Sequence, residues 1–246
     1  MTPLDIGRVR QALPGKRIEY HRIVDSTMHA AAPLELGVAV VAEEQTAGQG
    51  RHGRAWHSAP GSGIYCSVVL PPSPGLTLAL GLAAQHAISE AAGQHCDLRW
   101  PNDVMLGGRK VAGILAHSSD GRAVAGIGIN VNQESFPPEL AGEAISLAQW
   151  PPRRGAEIRP EIPREDILIS LLRAVDRYAA MPLDDILRRF TQSSSYARGR
   201  HVVVQQPDGV IEGVTAGLDP AGFLIVRRED GTDTLILAGG VRAAGA

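Results

Sequence analysis

The stretch "CDLRWPNDVMLGGRKVAGILAHSSDGRAVAGIGINVN", residues 96–132, decides the fold. Three strand candidates lie within it: "CDLRW" (96–100), "KVAGILAHSS" (110–119) and "AVAGIGINVN" (123–132). Turns are expected at "LGGR" and "SSDGR". The strands follow one another nearly back to back. A doubly wound parallel sheet needs helical crossovers between its strands, so this spacing argues against one. The expected class is α+β, a mixed or antiparallel sheet with helices on one side.

Working outward to the N-terminal side, "RIEYHRIV" (17–24) alternates as a strand, and "DSTMHAAA" (25–32) starts a helix that Ser26 or Thr27 can cap. "VAVVAEE" (38–44) and "GIYCSVVL" (63–70) read as buried strands, and the Ala/Leu-rich 77–92 reads as a long helix. On the C-terminal side, 136–155 is a proline-rich connection. Helical spacing covers 163–180, and a further helix begins in 182–195 with Pro182 in its first turn. Beyond Arg198 come four or five short strands with turns such as Pro-Asp-Gly, the pattern of a small β-barrel. The expected division is 1–195 and 196–246.

The 246 residues carry a formal net charge of −2, with 44% apolar and 20% charged residues. That is a globular composition without the basic excess expected of a general binder of nucleic acid or anionic membrane. Cys66 and Cys96 stand without metal-ligand spacing and read as reduced, buried thiols. No apolar run is long enough to span a bilayer and no signal-peptide core is present, so a cytoplasmic location is expected.

Chemistry concentrates in three places. "GQGRHGRAW" (48–56) sets Arg51, His52, Arg54 and Trp56 on a segment broken by three glycines. Glycines permit close backbone approach to a ligand, and arginines suit phosphate or carboxylate. The spacing is not that of a P-loop, and no helix follows as a dinucleotide fingerprint requires. Read alone, the segment is equally a solvated basic hairpin. "WPND" (100–103) packs polar groups into a turn where they need hydrogen-bond partners, and Lys110 opens an apolar strand containing Gly113. A lysine there is also an ordinary strand-edge residue. In "GIGINVN" (126–132), alternate glycines leave room for a flat group on the face that also bears Asn130 and Asn132; a bulged strand is the alternative.

Together and in this order, "DST" (25–27), "AEEQTAGQGRHGRAW" (42–56), "WPNDV" (100–104), "GRKVAGIL" (108–115) and "GIGINVN" (126–132) resemble the biotin–protein ligases. The resemblance implies a catalytic domain like that of class II aminoacyl-tRNA synthetases, followed by a small SH3-like barrel. With "DST" starting at Asp25, it is to the ligase-only form without a DNA-binding domain. It implies that biotin and ATP give biotinyl-5′-AMP and that a lysine of a biotin carboxyl carrier domain then takes the acyl group. Magnesium is implied with ATP, Asp103 being a candidate for an outer contact. A homodimer belongs to the implied assemblies; DNA and membrane do not.

The implied biotin contacts are Ser26, Thr27, Met28, Gln45, Gly48, Gln49, Gly50, Arg51, Lys110, Gly113 and Leu115. The implied ATP contacts are Arg51, Arg54, Trp56, Asn102, Lys110 and Asn130, with Lys110 and Arg51 catalytic. The chain departs from the family pattern at Met28 (usually Asn), Gln49 (usually Arg) and Arg99 (usually Lys). Its end, "AGGVRAAGA", also lacks the Glu and Arg of the usual "GEVSLR". A lipoate–protein ligase of the same fold, or a non-enzymatic regulator using the C-terminal barrel, are the alternative readings.

Overall fold

The computed structural model describes residues 2–151, 161–206 and 209–244. The chain begins with helix α1 (Ile6–Ala12), strand β1 (Ile18–Val24), helix α2 (Thr27–Ala31), and strands β2 (Ala39–Gln45) and β3 (Gly63–Leu70). Helix α3 (Leu76–Ala92) leads to β4 (Asp97–Arg99), β5 (Asp103–Leu106), β6 (Arg109–Ser119) and β7 (Arg122–Asn130). Helices α4 (Arg164–Ala179) and α5 (Leu183–Ser193) precede β8 (Arg198–Gln206), β9 (Gly209–Leu218), β10 (Leu224–Arg227), β11 (Asp233–Ile236) and β12 (Gly240–Ala243).

The first seven strands form one mixed sheet in the order β1-β2-β3-β7-β6-β5-β4. Only β1 and β2 run parallel. All eight residues of β3 are buried, which suits its unbroken apolar run in the middle of a sheet covered on both faces. In β7 the pattern alternates: Ala125, Ile127 and Ile129 enter the core, while Gly126 and Gly128 lie on the other face. The long helices α3 and α4 pack together over the core face. Left-handed glycines bracket α3, at Gly75 (φ +72°) and Gly93 (φ +67°), where another residue would be strained.

Helices flank both faces, which corrects the one-sided expectation. The short α2 lies on the opposite side from α3, where Ala31 packs with Val40 and Val69 in a separate cluster. Two elements were not foreseen in the sequence, α1 and β5. Pro182 caps α5 instead of entering its first turn. The last five strands form an antiparallel sheet, β11-β10-β9-β8-β12, bent by register shifts at Arg198/His201 and Ile225/Val226. Among the described residues its edge strands β11 and β12 do not pair, so hydrogen bonding does not close it into a ring. The connection beyond residue 151 and the turn at Pro207 and Asp208 fall outside the described residues.

One buried polar network fastens the N-terminal segment to the sheet. Glu43 on β2 accepts from Leu4 N (2.6 Å), from the Tyr20 hydroxyl (3.0 Å) and from Arg164 Nη1 (3.0 Å). Arg164 also donates to Gly63 O and Thr2 O. Both cysteines are free thiols, and burial pushes each up to about 12.

Candidate functional site

The strand ends that surround α2 build a small polar network against an otherwise apolar sheet. Ser26 caps α2, its hydroxyl accepting from Met28 N at 3.3 Å. Gln45, at the end of β2, accepts at Oε1 from both Thr27 N (2.8 Å) and Thr27 Oγ1 (3.0 Å). Its Nε2 donates to Ser58 Oγ at 2.8 Å, and Thr27 Oγ1 lies 2.8 Å from Ser67 Oγ. Ser58 and Ser67 were not foreseen. Ser67 carried a signal, being the one serine within an otherwise largely apolar strand.

These groups border a small cavity of about 40 Å³. Ser26, Thr27, Met28 and Gln45 line it from one side, Gln49, Gly50 and Arg51 from above, and Lys110, Gly113 and Leu115 from β6. Ten of the eleven expected biotin-contact residues therefore converge. Gly48 does not line this cavity. It lies where a Cβ would come within 2.6 Å of Trp56 O, so its lack of a side chain lets the segment fold back on itself. The alternate glycines do accommodate a flat group, and that group is the chain's own indole. A Cβ at Gly128 would lie 2.4 Å from Trp56 Cε2, and one at Gly126 2.9 Å from Met28 Sδ.

The glycine-bearing segment is a hairpin, paired at Gln49 and Ala55 around a tight 3₁₀ turn at Arg51–Gly53. Gly50 N donates to Arg54 O (2.7 Å) and Trp56 N to Gly48 O (2.8 Å). Arg51 points inward, Nη1 donating to Asn102 Oδ1 (2.9 Å) and to Gly239 O (3.2 Å) on the turn before β12. Burial draws the Arg51 guanidinium below its ordinary value, with Arg54 adding to that and Asp103 opposing it; an arginine remains a cation regardless. Gln49, where the family pattern has Arg, meets His29 Nε2 at 2.7 Å, and His29 in turn pairs with Asp25.

A second cavity of about 210 Å³ adjoins the first, lined by Arg51, Arg54, Trp56, Asn102, Lys110 and Asn130. Those are the six residues expected on the nucleotide side. Lys110 Nζ lies 2.6 Å from Asp103 Oδ1 and 5.3 Å from the centre of the Trp56 ring. Asp103 Oδ2 accepts from Arg99 Nη2 (2.7 Å) and Nε (3.2 Å). Burial by itself would raise the Asp103 carboxyl, but Lys110 and Arg99 together hold it below the usual carboxylate range. This triad was missed because it depends on register: the β4–β5 hairpin sets Arg99 directly opposite Asp103.

Asn130 uses its amide to brace the chain, donating to Ile145 O (3.2 Å) and Lys110 O (3.4 Å). Asn132 turns away, pairing with the backbone of Ile162, so it does not share the glycine face as expected. Glu143, Phe136, Gly239 and Gly240 complete the second cavity and were not foreseen. On the outer side of the hairpin lies an open groove of about 1070 Å³, bordered by Gly48, the start of α3, the end of β6 and the Gly222 loop. Trp100 Nε1 fixes that loop by donating to Gly222 O at 2.9 Å.

Residues 15–134 match the Biotin/lipoate A/B protein ligase family, and residues 198–241 match the Biotin protein ligase C terminal domain. The chain is 33% identical over 235 residues to the bifunctional ligase/repressor BirA of Bacillus subtilis, covering 88% of this chain and 71% of that one. It is 32% identical over 230 residues to the biotin--[acetyl-CoA-carboxylase] ligase of Paracoccus denitrificans, covering 86% and 94%. Among solved structures, the biotin protein ligase of Aquifex aeolicus in complex with biotin and ATP superposes with a TM-score of 0.79 at 30% identity, over 93% of this chain and all of that one.

Proposed function

The chain belongs to the biotin protein ligase family, and on that premise we propose that it activates biotin with ATP and transfers it to a lysine of a biotin carboxyl carrier domain. A biotin carboxylate oxygen bonds to the α-phosphorus as the bond to the β-phosphate oxygen breaks, giving biotinyl-5′-AMP and diphosphate. The neutral amine of the acceptor lysine then attacks the acyl carbonyl, AMP leaves with the electron pair of the broken C–O bond, and the new amide nitrogen gives up one proton to the departing phosphate or to solvent. The relatives are biotin ligases, so lipoate is not favoured.

The observation that carries this reading is the wall shared by the two cavities. Lys110, Arg51, Gly50, Trp56 and Asn102 line both. A carboxylate in one and a phosphate in the other would meet at that wall, where two anions need cations to offset their repulsion. Lys110 is the group for the reacting oxygens. Arg51 acts from the hairpin, which closes over the mixed anhydride and excludes water. Ser26, Thr27 and Gln45 receive the polar head of biotin, with Met28, Gly113 and Leu115 beside it and Gln49 and Gly50 over it. Arg54, Trp56, Asn102 and Asn130 serve the nucleotide.

Magnesium enters as a companion of the ATP phosphates. Among the described residues no three His, Cys, Asp or Glu groups converge to hold a resident ion. The cavity carboxylates are already paired, Asp103 with Lys110 and Arg99, and Glu143 with Arg242. The reading also takes 1–195 as the catalytic unit and 196–246 as its appended unit, with a cytoplasmic setting. Among the described residues, no helix is long and apolar enough to cross a membrane. The deciding experiment is ATP–diphosphate exchange with and without biotin. Exchange that does not depend on biotin would refute the reading.

A further inference from the structure

Helices α3, α4 and α5 leave a separate cleft of about 340 Å³, none of whose lining residues lines the cavities described above. Helix α3 offers it Gln85, His86 and Ser89 along one stripe, and α5 offers Arg189 and Gln192; His95, past the end of α3, completes the polar wall. Stripes that face one another across packed helices are ordinarily apolar. Here Leu82 is the one aliphatic side chain in the lining, and no carboxylate is among it.

Two acids lie near the cleft, Glu90 beside His86 and Asp97 next to Cys96. Glu90 accepts from Ser170 Oγ and stands 3.9 Å from His86, and Asp97 accepts from Leu98 N, Ser195 N and Ser195 Oγ. Arg188, one residue before Arg189, pairs with Asp185. Among the described residues Arg189 itself forms no ion pair, and its Nε is shut off from solvent without a hydrogen-bond partner. With Nε enclosed, it is the pair of terminal Nη groups, which no hydrogen bond or ion pair among the described residues engages, that can grip an oxyanion in a bidentate manner. Gln85 Nε2 is not free to compete, since it donates to Cys96 O (2.7 Å) and Ser193 O (3.4 Å) and so holds the cleft's base in place.

We propose that this cleft is a binding site for a small oxyanion, phosphate or carboxylate, held by Arg189 with His86, His95 and Gln192 as further donors. An occupant would tie α3 to α5 and raise the stability of the folded chain by mass action.

The test is a thermal-unfolding titration of the full chain with sodium phosphate and, separately, sodium succinate, each against sodium chloride at equal ionic strength. A saturable rise in Tm with phosphate alone identifies a phosphate site, with succinate alone a carboxylate site, and with both a general oxyanion site. No saturable rise beyond that of chloride overturns the proposal. Arg189→Gln is expected to abolish the response, and Arg189→Lys, which keeps the charge but loses the planar pair of Nη donors, to weaken it about 10-fold. Unchanged affinity in Arg189→Lys or Arg189→Gln overturns the assignment. Lys110→Ala is expected to retain the response; if it is lost there and kept in Arg189→Gln, the anion sits in the reaction site and the proposal fails.

Discussion

At Lys110 the ammonium faces Asp103 on one side and the Trp56 indole on the other, so one side chain is held between an anion and an aromatic face. Removing a preorganised donor of this kind ordinarily costs two to three powers of ten, so Lys110→Ala is expected to slow biotin-dependent diphosphate exchange by about 100-fold or more. Near-normal exchange would contradict the role. Asp103 gives a pH signature. Its folded pKa lies below the ordinary 3.8, so the stability it contributes is present above that value and is lost as pH falls through the lower folded one. Asp103→Asn leaves Lys110 and Arg99 without their anion and is expected to cost about 3 kcal/mol near neutrality. Urea unfolding of both chains at pH 7 and at pH 3 checks this, the expected gap narrowing at the lower pH. The sequence disclosed Lys110 as a candidate because it opens "KVAGIL". It did not disclose the partner, since Asp103 and Arg99 become neighbours only once the hairpin register is set.

The hairpin of residues 48–56 is the element on which the water-excluding role rests. With Trp56 lying over Gly128, the cavity proposed for biotin is far smaller than the several hundred Å³ typical of organic ligands, so on that proposal entry requires the indole to move. Tryptophan fluorescence is therefore expected to shift on adding biotin, and Trp56→Phe to abolish that shift while Trp100 and Trp150 remain. A shift that persists in the variant would assign the movement elsewhere. Arg51→Gly removes the contacts to Asn102 and Gly239 that hold the hairpin closed. Such a variant is expected to release intermediate and label nearby lysines indiscriminately, as mass spectrometry of a bystander protein would report; labelling confined to the carrier would oppose the lid role. Strands and long helices were legible because their apolar patterns are continuous. Helix α1 was not, having Val9 as its one buried residue, and β5 was not, being four residues long with a register shift inside it. Propensity cannot distinguish segments that tertiary packing alone holds in place.

Across the whole molecule, distant segments are fastened by a few polar ties. Arg164 joins α4 to β2, β3 and the N-terminal residues, and it is almost fully buried, at 3% exposure. Arg164→Met strands Glu43 as a buried charge, and a loss of about 3 kcal/mol in urea unfolding is expected. A loss below 1 kcal/mol would mean that Leu4 N and Tyr20 suffice for Glu43. No local pattern hints at this tie, because its two ends lie 121 residues apart. Another such tie runs from Arg51 to the carbonyl of Gly239. A peptide oxygen is common to every amino acid, so this brace is indifferent to the lettering of the tail. What the position does demand is shape: Gly239 has φ +126°, and a Cβ there would come within 2.7 Å of Gln205 O. The loss of the Glu and Arg of the usual "GEVSLR" from this tail thus leaves the brace intact, and the C-terminal strand can drift in side-chain chemistry while the curvature of its glycine turn stays under constraint.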